Sequence, residues 1–254
     1  MEDVRFIKKE TLDSLANAVR TLTGGSYSDK YSPEDMPQLI IENSNKFLKD
    51  YIQKESSTTN FGSDVLEGIT RIGAYAFRGW KGLGTIDIPE GVTKIENYAF
   101  YGCSNLYRIT LPESLTTLSF GCFRGCEKIR TISLPSALTI IQQECFKGCT
   151  RLSYIVIPDN VTQLGYYSFE GCTSLEQVTL GRSLSHIGKD AFKDCTNLKW
   201  VYLNCSSVPS FYYSDEAFSS DVIIYVNEDI YDEIIADDDW VQYANQIQIK
   251  PVEE

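Results

Sequence analysis

Cysteine and histidine are the residues of this sequence best suited to nucleophilic or metal chemistry, and its 254 residues include eight cysteines and one histidine. Five cysteines recur at a fixed step of 23 residues, and Cys122 and Cys145 each precede a member of that series by four positions, in CFRGC and CFKGC. A structural zinc site needs four ligands, and neither pair has histidine partners or a second cysteine pair. The recurring series is Cys103, Cys126, Cys149, Cys172 and Cys195.

The regular spacing of these cysteines predicts buried thiols. Residues at the same position of successive repeats point the same way when the repeats stack, whereas a disulfide requires side-chain vectors that converge. A thiol in the interior packs as a small hydrophobe. We therefore expect reduced cysteines, no metal and no cofactor, with disulfides and a metal site as the alternatives. Retained thiols are compatible with folding in a reducing cytosol.

His186 is the single histidine, and catalysis by it would require a nucleophile beside it. The same position in other repeats holds Lys94, Thr117, Ile140 and Gln163, which is typical of a variable surface. No P-loop, dinucleotide fingerprint or zinc-protease helix occurs in the sequence, and the repeats contain no evident carboxylate pair for glycoside hydrolysis. We predict that the protein is not an enzyme and has no catalytic residues.

The element that must position these residues is a unit of 23 residues, repeated six times between residues 72 and 209. One unit cannot bury its own apolar side chains, but stacked units align them into one continuous core. The repeat therefore predicts a solenoid. Its core comprises the cysteine series together with Phe77, Phe100, Phe123, Phe146, Phe169 and Phe192.

Each repeat contains a segment in which apolar and polar residues alternate, as from Arg108 to Leu111. This period is typical of strands, and strands of successive units then form a parallel sheet. The outward positions are small and polar in the early repeats, such as Thr85, and aromatic in the later ones. Exposed aromatic residues on a rigid sheet bind proteins and glycans well. We predict a ligand-binding sheet face formed by Arg108, Tyr154, Val156, Gln177, Trp200 and Tyr202.

Two alternatives to that binding face remain open. The C-terminal residues or the loop at residues 206–213 could fold over Trp200 and Tyr202 and cover them. A second tyrosine group lies in the opposite turns, and it is a further candidate surface: Tyr75, Tyr98, Tyr166 and Tyr167.

The net charge is −12, and it is unevenly distributed. Residues 61–204 contain 14 basic and 13 acidic side chains, whereas residues 205–254 contain 1 basic and 12 acidic side chains. A nucleic-acid-binding surface would need a basic stripe, so we expect no nucleic acid partner. No apolar run is long enough to cross a bilayer, and the N-terminus lacks a secretory signal, so we expect no membrane insertion.

The repeat pattern L-x-x-I-x-L-P-x-x-[VL]-x-x-[IL]-x-x-x-A-F-x-G-C resembles the BspA-like leucine-rich repeats of bacterial and protist surface proteins. The resemblance implies an α+β repeat protein: a right-handed leucine-rich-repeat solenoid with a parallel β-sheet face, N-terminal helices and a C-terminal capping strand and helix. It also implies adhesion or recognition rather than catalysis.

The N-terminal segment predicts helices over residues 8–23 and about 37–54. Residues 10–24 and 31–40 resemble a short module that opens many tail and baseplate-associated proteins of phages infecting Gram-positive bacteria. That resemblance implies an anchor to a virion or to a partner subunit. The alternative is a helical cap over the first coil of the solenoid.

The C-terminal segment predicts a strand over residues 222–226 and a helix over residues 228–244, which together cap the last coil. The acidic run at residues 237–239 lacks the glycine and spacing of a calcium loop, so a solvated face is expected there. The predicted domains are an N-terminal helical module at 1–54, a linker and solenoid start at 55–71, six repeats at 72–209, and a degenerate repeat with an acidic cap at 210–254.

These observations predict a non-enzymatic recognition protein of a phage virion, in the tail or baseplate, that is made in the host cytoplasm. Its expected partners are a protein or glycan of the host cell surface and, through residues 1–54, sister virion subunits or copies of itself. The alternatives are a bacterial cell-surface adhesin whose signal peptide has been trimmed, and a structural spacer of the virion.

Overall fold

The computed structural model describes residues 5–6, 59–61, 66, 70–212 and 217–251. Residues 70–212 form a solenoid in which successive coils are joined by parallel strand pairing. The predicted N-terminal helices lie outside the described residues. The predicted fold class, a leucine-rich-repeat solenoid with a parallel sheet face, is confirmed for the described part.

One side of the solenoid contains two sheets. The first has the order β1-β2-β4-β6, with strands Arg5–Phe6, Thr59–Phe61, Leu83–Asp87 and Arg108–Thr110. The second has the order β16-β15-β13-β11-β9, with strands Ile247–Ile249, Ile223–Val226, Trp200–Leu203, Gln177–Leu180 and Tyr154–Val156. β2 lies in the segment that the sequence assigned to the linker and solenoid start.

The opposite side contains one sheet of seven short strands, in the order β14-β12-β10-β8-β7-β5-β3. Each strand has two residues, because a tight turn follows it at once. The strands, from β3 to β14, are Arg71–Ile72, Lys94–Ile95, Thr117–Leu118, Ile140–Ile141, Gln163–Leu164, His186–Ile187 and Ser210–Phe211.

Residues 131–134 depart from the predicted sheet. The repeat predicts a strand there, yet these residues have no strand assignment, and they separate β6 from β9. Ile132 remains buried in the core, so the coil is still present. A backbone hydrogen bond from Ser153 N to Arg130 O joins this coil to the next, but it lies just before residues 131–134 rather than within them. The single continuous sheet that the repeat predicts on this side is therefore divided into two sheets.

The phenylalanine series forms a stack along the axis of the solenoid. Phe77 and Phe100 have ring centroids 4.9 Å apart, and their planes differ by 1°. The next four spacings lie between 5.2 and 5.5 Å, and Phe218 extends the stack from Phe192 at 5.4 Å. Because each ring is also almost fully buried, the stack combines ring contact with large apolar burial.

The turn before each buried phenylalanine is joined to the next coil by backbone bonds. In the first turn, Tyr75 N, Phe77 N and Gly79 N donate to the carbonyls 22 residues later. Two positions of every turn have positive φ, and one of them is the glycine of the A-F-x-G-C motif, as Gly148 at +73° shows, with Asp194 in its place in the sixth turn. The other carries Tyr75, Tyr98, Gly121, Glu144, Tyr167 and Asp190 in the six repeats.

The C-terminal cap differs from the single helix predicted over residues 228–244. Helix α1 spans Glu228–Ala236, a 3-10 turn spans Val241–Tyr243, and β16 follows. The helix ends because Asp237 is extended, with φ −75° and ψ 135°, and its carboxylate accepts a hydrogen bond from Asp239 N. The resulting turn places Trp240 and Tyr243 against Phe218 at the end of the stack.

Candidate binding face

Strand register brings the predicted face residues together in two columns. The first column consists of Tyr154, Gln177 and Trp200, and the second of Val156, Thr179 and Tyr202. Alternate residues of β11 and β13 are buried, so the residues of both columns point away from the core. We call the outward side of the sheet β16-β15-β13-β11-β9 the aromatic face.

The aromatic face extends further than the sequence analysis predicted. Ile223 continues the first column, and Tyr225 and Gln248 continue the second. The alternation in IIYV was a sufficient signal for Tyr225, because it marked the strand and its outward residues. The strand β16 had no comparable signal, since IQI follows directly on an irregular cap.

None of these outward residues is an aspartate, glutamate, lysine or arginine, although 23% of the chain is charged. Tyr154 is 51% exposed and Val156 is 54% exposed, and Trp200 and Tyr202 are half-buried. Depletion of charge and enrichment of tyrosine and tryptophan are typical of the core of a protein interface. Trp200 and Tyr202 are thus partly covered in the described structure, and neither is among its fully buried residues.

Two contacts hold the aromatic face in place. The rings of Tyr202 and Tyr225 stack, with centroids 5.1 Å apart and planes 24° apart. Lys199 Nζ lies 5.6 Å from the centre of the Trp200 ring, within the range of a cation–π interaction. The rings are therefore restrained before any ligand binds, which lowers the entropy that binding would cost.

Arg108 does not belong with the other predicted site residues. It lies on β6, in the other sheet, where its Nη2 is 3.6 Å from Asp87 Oδ2. Thr110 also donates a hydrogen bond to Asp87, at 2.6 Å. Thr85, expected to face outward, is only 5% exposed. The residues of the early repeats thus form a separate polar surface.

His186 has a nucleophile-like neighbour, since Ser185 Oγ lies 2.8 Å from His186 Nδ1. However, the hydroxyl of Ser185 also donates to Thr162 O at 3.0 Å, as part of a series in which Thr116, Thr162 and Ser210 donate to the preceding coil in the same way. Because the Ser185 hydroxyl donates its proton to a carbonyl of the preceding coil, its role is to join the coils rather than to act as a nucleophile. His186 itself stacks on Tyr212, with centroids 4.9 Å apart.

The cysteine thiols, like the Ser185 hydroxyl, are structural groups rather than reactive ones. All eight cysteines are buried in the described part of the chain, and none belongs to a disulfide there. Burial raises the pKa of Cys126, Cys145 and Cys172 well above the usual value, and it raises the pKa of Cys205 to about 12. A thiol kept neutral is a poor nucleophile and a poor metal ligand.

The acidic run at residues 237–239 is used by the cap. Asp237 Oδ1 accepts from Asp239 N at 2.9 Å, and Asp239 Oδ2 accepts from Phe211 N at 3.1 Å. Among the residues that the structure describes, no three side chains of metal-ligating type are grouped. Within the same residues, no helix has the length and apolarity needed to cross a membrane.

Comparison with known proteins gives the family. The profile described as "BspA type Leucine rich repeat region" matches residues 70–199 in six copies. A leucine-rich repeat protein of T. pallidum (TpLRR) is similar at 28% identity and a TM-score of 0.57, over 62% of this chain and 74% of that protein. The pneumococcal vaccine antigen PcpA shares the fold at 21% identity and a TM-score of 0.60, over 77% of this chain.

This chain spans about half of PcpA, at 51% of its length. No curated protein matches the sequence significantly. The family profile covers just over half of the chain, and its six copies coincide with the coils that stack Phe77 to Phe192. The chain therefore belongs to the BspA-type leucine-rich repeat proteins.

Proposed function

We propose that the protein is a non-enzymatic recognition protein that binds a protein or glycan of a cell surface through the aromatic face. The observation that carries this proposal is the combination of exposed Tyr154 and Val156 with restrained Trp200, Tyr202 and Tyr225 on one uncharged sheet. Large, rigid side chains bury area at small entropy cost, and tryptophan and tyrosine are enriched among the few interface residues whose truncation costs about 2 kcal/mol or more.

The cell to which it binds is proposed to be the host of a phage, with this protein in the virion tail or baseplate. The support is the N-terminal sequence at residues 10–24 and 31–40, which resembles modules of tail-associated proteins. In this proposal, residues 1–54 attach the protein to sister subunits or to copies of itself, and the solenoid presents the aromatic face.

A second candidate is a bacterial surface adhesin. The similarity of the fold to the pneumococcal antigen PcpA favours it, because that protein shares the solenoid over 77% of this chain. The two candidates use the same face and differ in the particle or cell that displays it. A structural spacer of the virion is the third possibility, in which all contacts are with sister subunits.

The test measures binding of fluorescently labelled protein to a panel of Gram-positive cells and to their purified cell-wall glycans. The double variant Trp200→Ala plus Tyr202→Ala is expected to lose about tenfold or more in affinity. The matched control is Thr131→Ala plus Ser133→Ala, whose residues are exposed on the same side outside the aromatic face. No binding to any cell, or equal loss in both variants, would refute the proposed face.

Mass measurement of the full chain in solution distinguishes the spacer. A stable trimer or hexamer that binds no cell supports assembly alone. A labelled antibody against the protein, applied to purified phage particles and to bacterial cells, distinguishes virion from cell surface.

A further inference from the structure

A second ordered surface lies on the turns, away from the aromatic face. The position between phenylalanine and glycine in A-F-x-G-C holds Arg78, Tyr101, Arg124, Lys147, Glu170 and Lys193 in the six repeats. Three of its four cations have a carboxylate partner. Arg124 pairs with Glu144, Lys147 Nζ lies 2.6 Å from Glu170, and Lys193 Nζ lies 3.7 Å from Asp190.

Arg78 is the exception. Its side chain is exposed, and it forms no ion pair with any carboxylate in the part of the chain that the structure describes. Its partners are rings: the guanidinium carbon lies 5.4 Å from the centre of Tyr75 and 5.2 Å from that of Tyr101. We call these three residues the Arg78 clamp.

The rings of the clamp are themselves fixed. Tyr75 stacks on Tyr98 with centroids 5.4 Å apart and planes 15° apart, and Tyr98 meets Tyr101 edge-on at 5.7 Å. The Tyr98 ring fits because residue 121 is glycine, where a Cβ would lie 2.8 Å from its Cε1. A guanidinium held on fixed rings keeps its N–H edge available and loses little freedom when it binds.

A guanidinium edge fits a carboxylate through two parallel hydrogen bonds. The protein satisfies that demand at Arg124, on the other side of Tyr101, through Glu144. Among the described residues, no carboxylate pairs with Arg78. Its guanidinium edge is therefore available to a carboxylate of a ligand.

We propose that the Arg78 clamp binds one aspartate or glutamate side chain of an acidic peptide segment in a partner protein. A polyanion, such as an acidic polysaccharide, would need a row of cations without internal partners, and the neighbouring cations of this column are neutralised. A single guanidinium between tyrosine rings suits a single carboxylate beside apolar peptide atoms. Arginine and tyrosine are also the residues that dominate protein interfaces.

The experiment selects binders to the full-length protein from a library of random twelve-residue peptides. Affinities of the enriched peptides are then measured for the wild type, Arg78→Gln, Arg78→Lys and Arg151→Gln. Arg151 is the matched control, because it is exposed on the solenoid outside the clamp. Thermal unfolding of each variant verifies the fold.

The proposal predicts peptides whose binding requires one acidic residue, so that its replacement by the amide weakens binding about tenfold. Arg78→Gln is expected to give the same loss, Arg78→Lys most of it, and Arg151→Gln none. Wild-type affinity in the Arg78→Lys variant would refute recognition through two parallel hydrogen bonds from the stacked guanidinium. Peptides that bind without an acidic residue, or polygalacturonate that binds through Arg78 when peptides do not, would refute the peptide partner.

Discussion

The thiol of Cys126 donates a hydrogen bond to the carbonyl of Phe100, 3.1 Å away in the preceding coil. The same contact recurs at Cys103, Cys149, Cys172 and Cys195, at 2.9 to 3.3 Å. Each cysteine therefore fills a small apolar site and also gives a second donor to a phenylalanine carbonyl, which within its own turn accepts a backbone N–H, as Phe100 O does from Cys103 N at 3.1 Å. This dual role explains why one residue type recurs at this position.

Replacing Cys126 by alanine tests that role. The variant loses the sulfur atom's packing and one of the two donors to the Phe100 carbonyl, so the free energy of unfolding is expected to fall by about 1–3 kcal/mol. Urea unfolding followed by circular dichroism measures it. Ser133→Ala is the control, since Ser133 is exposed on the same coil. Equal stability of the two variants would contradict the role of the thiol.

The thiols are expected to be unreactive in the folded protein. Burial raises the pKa of Cys205 to about 12 and that of Cys126 well above the usual 9.0, so little thiolate forms near neutral pH. Labelling with iodoacetamide at pH 8, read by mass spectrometry, should modify none of the eight cysteines in native protein and all of them in guanidinium. Rapid labelling of the native protein would contradict the buried series.

The same shifts predict how stability depends on pH. The folded pKa of Cys205 is raised above its unfolded value of 9.0, so folding favours the neutral thiol. The stabilisation is complete below pH 9 and is lost as the pH rises toward 12. Urea midpoints between pH 8 and 11 should therefore decrease, and a Cys205→Ala variant should decrease less. An identical decrease in the two proteins would assign the effect to other groups.

Much of this architecture follows from the sequence because each position of the repeat has the same structural role in every coil. Phe100 and Phe123 occupy the same place in successive units, and stacking leaves them no other environment. The loss of the strand at residues 131–134 could not be predicted, since Ile132 keeps the apolar pattern of a strand. The strand depends on backbone pairing with both neighbours, which a single repeat does not encode.

The candidate site shows the same division. Tyr154 and Trp200 could be placed on one face because alternation fixes which side of a strand they occupy. The sequence could not show that Arg108 lies apart from these residues, because their separation depends on the break between the two sheets. Its contact with Asp87, 3.6 Å away, likewise depends on the register of β4 and β6.

Gly148 and Asp194 test the left-handed position of the turn. Both have positive φ, +73° and +58° respectively, and a side chain there costs about 1 kcal/mol. Gly148→Ala is expected to destabilise the protein by about that amount, although its Cβ would meet Gly125 only at 3.8 Å. Asp194→Gly is expected to stabilise it by about 0.5–1 kcal/mol. Thermal unfolding measures both, and changes of the same sign would contradict the assignment.

Tyr225 tests the extent of the aromatic face. Its ring stacks on Tyr202, so Tyr225→Ala removes one contact surface and frees a second ring. Affinity for the cells bound by the wild type should fall about tenfold, while stability changes by less than about 1 kcal/mol. Val241→Ala is the control, because Val241 is 58% exposed in the cap and lies outside the face. Unchanged affinity would end the face at Tyr202.

Trp240 tests the cap. Its ring is fully buried, lies 4.7 Å from that of Phe211, and donates through Nε1 to Pro209 O. Trp240→Ala therefore opens a large cavity at the end of the phenylalanine stack, and it should cost about 3–5 kcal/mol. Trp240→Phe keeps most of the packing and should lose only the hydrogen bond, about 1 kcal/mol. Urea unfolding measures both, with light scattering to detect association through the uncovered coil. If Trp240→Ala unfolds at the wild-type midpoint and stays monodisperse, residues 228–249 do not protect the last coil.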